Sequence, residues 1–232
     1  MKQIPLPLSA ASDSPPRIVV GNANAHAVDG LLESASWPFH SAILSGPPRS
    51  GKSLLARWFV ESGHGDVLDD ADRMDEDAVF HSWNRAQESR RPLLIISSRR
   101  RAAGGGETEG RWQVKLPDLG SRLGAALELE VDEPDEEMLG ELIDVHAQMR
   151  GLSLDPSARE YLVPRCERSH LGVEMLVATI DRLSLERKQP PTLAIWREAL
   201  VELYGSEGQA GPVDGDMGEA ADGDIGGDPE AS

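Results

Sequence analysis

Eight consecutive residues, Gly46-Pro47-Pro48-Arg49-Ser50-Gly51-Lys52-Ser53, have the form G-x-x-x-x-G-K-S. At that spacing these residue types bind phosphate. Glycines let backbone N–H groups close around phosphate oxygens, a lysine ammonium reaches the terminal phosphates, and a serine hydroxyl can ligate magnesium. Gly46 through Ser53, with Leu54 opening the following helix, are therefore candidate nucleotide contacts. A second chemical element follows the apolar Val67-Leu68, where Asp69 and Asp70 stand side by side. Asp69 suits magnesium, directly or through water, and Asp70 suits polarising an attacking water if the chain hydrolyses its own nucleotide. A third is the polar end of Pro92-Leu93-Leu94-Ile95-Ile96-Ser97-Ser98. Ser97 or Ser98 would sit where a parallel sheet senses a terminal phosphate.

These groups converge only if regular elements hold them. Ala42-Ile43-Leu44 reads as a buried strand entering the loop, and Leu54 to Val60 as the helix leaving it. Asp66-Val67-Leu68 and Leu93 to Ile96 read as further strands, separated by a helix carrying Val79, Phe80, Trp83 and Asn84. Ala126 to Val131 reads as the last strand. Only Gly63-His64-Gly65 separates the loop helix from the Asp66 strand, so the sheet is expected to lack an edge strand. The expectation is an α/β fold: a P-loop module over 17–131, with a parallel sheet flanked by helices, followed by a small all-helical lid over 132–204. The lid helices carry Met138, Leu139, Leu142, Ile143 and Met149; Leu171, Leu176, Ile180 and Leu183; and Ile195, Trp196, Ala199, Leu200 and Leu203 at bundle spacing. Asp155-Pro156 has the order of a helix start.

Composition limits the partners. The net charge is −17, which opposes binding of duplex DNA outside a local basic patch. Residues 205–232 carry only acidic charges among small residues and are expected to be a disordered tail. Arg99-Arg100-Arg101, followed by a glycine-rich run, reads as a solvated basic loop or as a contact to a partner or to DNA phosphates. The single cysteine, Cys166, fits a reducing compartment. With no long apolar span and no signal-peptide order, the expected location is the cytoplasm, with no membrane contact.

At the other end, residues 1–16 read as a flexible tail with one exception. Gln3-Ile4-Pro5-Leu6-Pro7-Leu8 resembles peptides that dock on the bacterial DNA polymerase III sliding clamp. Gln3 would enter a polar pocket and Leu6 and Leu8 an apolar one. The two prolines restrict the free peptide and reduce the entropy lost on docking.

The order phosphate loop, Asp-Asp strand, serine-ended strand, L-P-D-L-x-S-R-L (Leu116 to Leu123) and helical lid resembles the AAA+ module of the bacterial initiator DnaA over 17–204. Within that group it is most similar to the short DnaA homologues of the Hda type, because of the Q-x-x-L-P-L start, the L-P-D-L-x-S-R-L form and the absence of a basic helix-turn-helix after the lid. The resemblance implies bound ADP or ATP with Mg, and Val19, Val20 and Gly21 against the base, although core packing accounts for them equally well. It implies regulatory inactivation of DnaA, in which Arg122 is supplied in trans to DnaA-bound ATP, negatively regulating initiation of DNA replication. A salt bridge from Arg122 to Asp118 or a neighbouring acid is the alternative. DNA would be reached indirectly, through the clamp, and the sequence leaves a homodimer open. Arg99 stands where the family's sensing strand ends in an acid. Glu174 falls where a lid arginine normally meets phosphate, with Arg168 the nearest earlier arginine. Weak or absent intrinsic ATPase activity is therefore expected; the alternative function is a DnaC-like loader-type ATPase.

Overall fold

The computed structural model describes residues 2–5, 17–98 and 112–205 of the 232-residue chain. Its strands are β1 (Lys2–Pro5), β2 (Arg17–Val20), β3 (Ser41–Ser45), β4 (Asp66–Leu68), β5 (Leu93–Ser97) and β6 (Leu127–Glu130). The helices are α1 (Ala25–Leu32), α2 (Lys52–Glu61), α3 (Glu76–Ser89), α4 (Pro117–Gly124), α5 (Glu136–Met149), α6 (Pro156–Leu162), α7 (His170–Arg187) and α8 (Leu193–Tyr204).

The main sheet is parallel, in the order β4-β5-β3-β6. Its two central strands, Ser41–Ser45 and Leu93–Ser97, are the most apolar and the most buried. This is the pattern of strands covered on both faces. Alternation along them builds two cores. Leu44, Leu94 and Ile96 meet Leu31, Leu55 and Phe59 from α1 and α2 on one face. Ile43, Leu93 and Ile95 meet Val79 and Trp83 from α3 and Leu119 and Leu123 from α4 on the other. The strand carrying the acids, β4, lies at the sheet edge, as the short Gly63-His64-Gly65 connection predicts.

After β6 the chain forms a four-helix lid with its own core, in which Met138, Leu139, Ile143, Leu162, Val173, Leu176, Ile180 and Leu200 are buried. Side-chain caps start three of these helices. Asp135 accepts from Met138 N at 2.8 Å, Asp155 from Ser157 N at 2.8 Å, and Ser169 from Gly172 N at 2.9 Å. Two residues expected in the lid core are not there. Met149 and Leu171 are exposed and line the cleft between base and lid, because each sits at a helix end beyond the reach of the neighbouring helices.

The start of the chain also departs from the sequence reading. Lys2–Pro5 pairs antiparallel with Arg17–Val20, with Gln3 opposite Val19, so these four residues are a strand rather than flexible chain. Pairing satisfies backbone groups that a free segment would leave to water. Leu6 and Leu8 lie outside the described residues, as do Arg99 to Arg101 and the acidic segment from residue 206 onward. The strand β2 is divided between the two halves of the molecule: Ile18 is buried in the base core and Val19 in the lid core. Asn24 fixes this segment by donating to Val19 O at 2.9 Å and accepting from Gly21 N at 2.9 Å. Among the described residues, no helix is long and apolar enough to cross a membrane.

Candidate functional site

The phosphate loop runs from the end of β3 to the start of α2. Gly46 tolerates no side chain: a Cβ there would stand 2.2 Å from the carbonyl oxygen of Val131, just beyond β6. Gly51 adopts φ 93°, a left-handed value that a glycine takes without strain. From Gly51 the chain enters α2, whose first free N–H groups point at the same space as the loop.

Lys52 is buried, and its Nζ donates to the carbonyl oxygens of Gly46 at 2.9 Å and Pro47 at 2.6 Å and to Ser50 Oγ at 3.4 Å. The ammonium is held inside the loop by the loop's own acceptors. Burial pushes its pKa below the usual lysine value, opposed by the nearby carboxylates of Asp69, Asp72 and Asp70. The group is thus poised to exchange carbonyl oxygens for phosphate oxygens.

Loop and lid face each other across a cavity of about 750 Å³, which lies within the range of small-molecule sites. The base contributes Pro48 to Leu54 from the loop, Asp69 and Asp70 from the end of β4, and Ser98 from the end of β5. The lid contributes Leu142, Val145, His146, Met149 and Arg150 from α5, and His170, Leu171 and Glu174 from α7. Ser53 and Asp69 share this wall, so the residue types that would ligate magnesium beside a phosphate are present together. Among the described residues no group of three or more His, Cys, Asp or Glu side chains could hold a metal without such a phosphate.

The structure brings together most of the expected residues, and leaves some out. Pro48, Arg49, Ser50, Gly51, Lys52, Ser53, Leu54, Asp69, Asp70 and Glu174 line the cavity. Gly46 and Pro47 lie behind it and act through their carbonyl oxygens on Lys52. Ser97 is fully buried in the sheet, and it is Ser98 that reaches the cavity, its N–H held by Asp72 Oδ1 at 3.2 Å. Val19, Val20 and Gly21 do not line the cavity: Val19 is fully buried in the lid core and Val20 packs on the base core. Arg168 does not line it either.

The sequence reading missed His146, Arg150 and His170, and the base arginines Arg57 and Arg73, all of which line the cavity. One signal was present. Leu142, Val145, His146 and Met149 follow the i, i+3, i+4, i+7 spacing of one helix face, and that face turns polar toward the C-terminus of α5. His146 has its pKa lowered by burial, against the opposing charge of Glu174.

Arg122 lies elsewhere. It is not in the cavity wall; it sits on α4, half-buried against α3. Its guanidinium stacks over the rings of Phe80 and Trp83, 4.5 Å from each centroid, and donates to Asn84 Oδ1 at 2.6 Å. Asn84 and the two rings take the place that the alternative reading gave to Asp118 or a neighbouring acid. The i, i+3, i+4 spacing of Phe80, Trp83 and Asn84 puts all three on one face of α3.

No protein-family model matches the sequence. Solved structures match the fold. Domain III of the replication initiator DnaA from Thermotoga maritima is similar with a TM-score of 0.66 at 14% identity, covering 80% of this chain and 94% of that one. DnaA bound to AMPPCP and single-stranded DNA is similar with a TM-score of 0.57 at 16% identity, covering 74% of this chain and 66% of that one. The Thermotoga maritima Holliday junction branch migration motor RuvB is similar with a TM-score of 0.59 at 17% identity, covering 79% and 70%. The chain shares the fold of these structures, a parallel sheet flanked by helices and followed by a helical bundle.

Proposed function

We propose that this chain binds ADP or ATP with magnesium in the cavity between base and lid, and acts as a cytoplasmic negative regulator of replication initiation by stimulating hydrolysis of ATP held by DnaA. The observation that carries the reading is the position of Arg122: outside the chain's own nucleotide cavity, half-buried on the rings of Phe80 and Trp83, where it is of no use to a nucleotide bound in cis. A guanidinium offered to another protein's γ-phosphate stabilises charge that develops in the transition state. An arginine supplied in trans raises turnover by about 10³ to 10⁵. To do so Arg122 exchanges Asn84 for phosphate oxygens.

Within the chain's own site, Lys52 and the loop amides hold the phosphates, and Ser53 and Asp69 hold magnesium, which neutralises phosphate charge. Glu174 puts a carboxylate on the lid side, where it opposes a fully charged triphosphate. The nucleotide on this reading is chiefly a structural ligand that clamps lid to base, and turnover by the chain alone is weak. Gln3, Leu6 and Leu8 dock on the DNA polymerase III sliding clamp and so bring the chain to DNA indirectly.

A second reading has a specific observation behind it. Asp69 and Asp70 both reach the cavity, as a self-hydrolysing ATPase requires, and the RuvB likeness gives the same fold in a motor. A DnaC-like loader is the form this reading takes.

One experiment separates them: hydrolysis of ATP bound to DnaA, with this chain added in the presence and absence of DNA-loaded clamp. Clamp-dependent stimulation that is lost in Arg122→Ala and in the double variant Gln3→Ala/Leu6→Ala supports the regulator. Rapid ATP turnover by the chain alone, with no stimulation of DnaA, supports the loader.

A further inference from the structure

His170 opens α7 and belongs to the lid, yet its nearest surroundings are the phosphate loop. Its backbone N–H donates to Arg49 O at 3.0 Å. The Arg49 guanidinium pairs with Glu167 at 3.4 Å, and Ser169 Oγ, which caps α7, donates to the same Glu167 carboxylate at 2.8 Å. Loop and helix start are therefore tied at two points, with Ser169 holding Glu167 in place, and the imidazole is carried on that junction.

The ring itself lies over Gly51. A methyl group on Gly51 would stand 3.1 Å from both Nε2 and Cδ2 of His170. Nε2 is buried and has no hydrogen-bond partner, although His170 lines the cavity. A buried polar atom left unpaired is costly, and one that borders a polar cavity is a place where a ligand atom completes the bond. The same cavity is lined by Lys52 and by the start of α2 with its free amides. The ligand suited to those groups is a polyphosphate.

We propose that His170 is a phosphate-contacting residue supplied by the lid, its Nε2–H donating to an oxygen of the bound nucleotide's phosphate chain. The inference rests on the nucleotide reading above and extends it. The lid side of the cavity otherwise presents Arg150 and Glu174, whose charges offset each other. A neutral imidazole donor adds directional contact without adding charge.

The test is titration of the full chain with Mg-ADP. His170→Phe keeps the ring over Gly51 and removes the donor; His170→Gln removes the ring and keeps an N–H. The Phe variant is expected to bind ADP at least about tenfold more weakly at unchanged melting temperature, with part of the affinity recovered in the Gln variant. In histidine-labelled wild type, the Nε2 resonance should shift on ADP addition. Wild-type affinity in the Phe variant, or an unmoved Nε2 resonance, overturns the assignment and leaves the nucleotide reading intact. Failure of the wild type to bind ADP overturns both.

Discussion

Acidification gives a test of the base–lid junction with a magnitude. Burial, with a smaller contribution from His146, lowers the pKa of His170 from 6.5 to about 4. The unfolded chain protonates this histidine first. Between those values it binds more protons than the folded chain, so stability falls as the pH drops through the window. At one pH unit per 1.36 kcal/mol, the loss is small at neutral pH, about 2 kcal/mol near pH 5 and about 3 kcal/mol near pH 4. The charges around the ring are Arg49 and Lys52 from the loop, Glu167 before α7, His146 and Arg150 on α5, and Glu174 on α7. His146 titrates in the same direction. The assay is urea unfolding at both pH values for the wild type and for His170→Gln, which cannot titrate. Carboxylates affect both proteins alike, so the difference in their pH dependence isolates the histidine. The wild type should lose about 2 kcal/mol more than the variant between neutral pH and pH 5. Parallel pH profiles would refute the claim that His170 is buried and neutral against the loop.

Three further perturbations have clear expectations. Lys52→Ala should abolish measurable Mg-ADP binding while leaving the circular dichroism spectrum intact, since the residue's partners are loop carbonyls that water can reach once the ammonium is gone. Gly46→Ala drives a Cβ to 2.2 Å from the Val131 carbonyl, backbone against backbone, and should lower stability by about 3 kcal/mol, visible as a lower urea midpoint. Leu176→Ala empties a fully buried position in the lid core and should cost about 2 to 5 kcal/mol by the same measurement.

The fold was legible because its signals are local. The β-branched run Leu93 to Ile96, the alternation of strand and helix up to Val131, and the three-four spacing beyond Pro134 each require a short window. The phosphate loop and the acids after β4 were legible for the same reason: one turn and one strand end position them. What escaped depends on packing between distant segments. Arg150 and His170 reach the cavity only because the lid folds over the loop, and the helix-face spacing that includes His146 reads equally well as bundle core. Val19 looked as suited to a base pocket as to a core, and the lid decided it by burying the side chain. Asn84 could not be foreseen as the partner of Arg122, because α3 and α4 are separated by a long connection and meet only in the core on the second face of the sheet. The Lys2–Pro5 strand escaped because Pro5, with Pro7 just after it, reads as irregular chain, while an antiparallel partner lay a dozen residues away.

The strand β2 has a mechanical consequence. With Ile18 seated in one core and Val19 in the other, it is a bridge between the two halves. A swing of the lid must either carry β2 along or pull Val19 out of its socket, at a cost of about 1.5 to 3 kcal/mol. Because β1 is laced to β2 residue by residue, the first residues of the chain travel with the same motion. Whatever opens or closes the cleft is thereby felt at the N-terminus, and a weight attached there would be felt at the cleft.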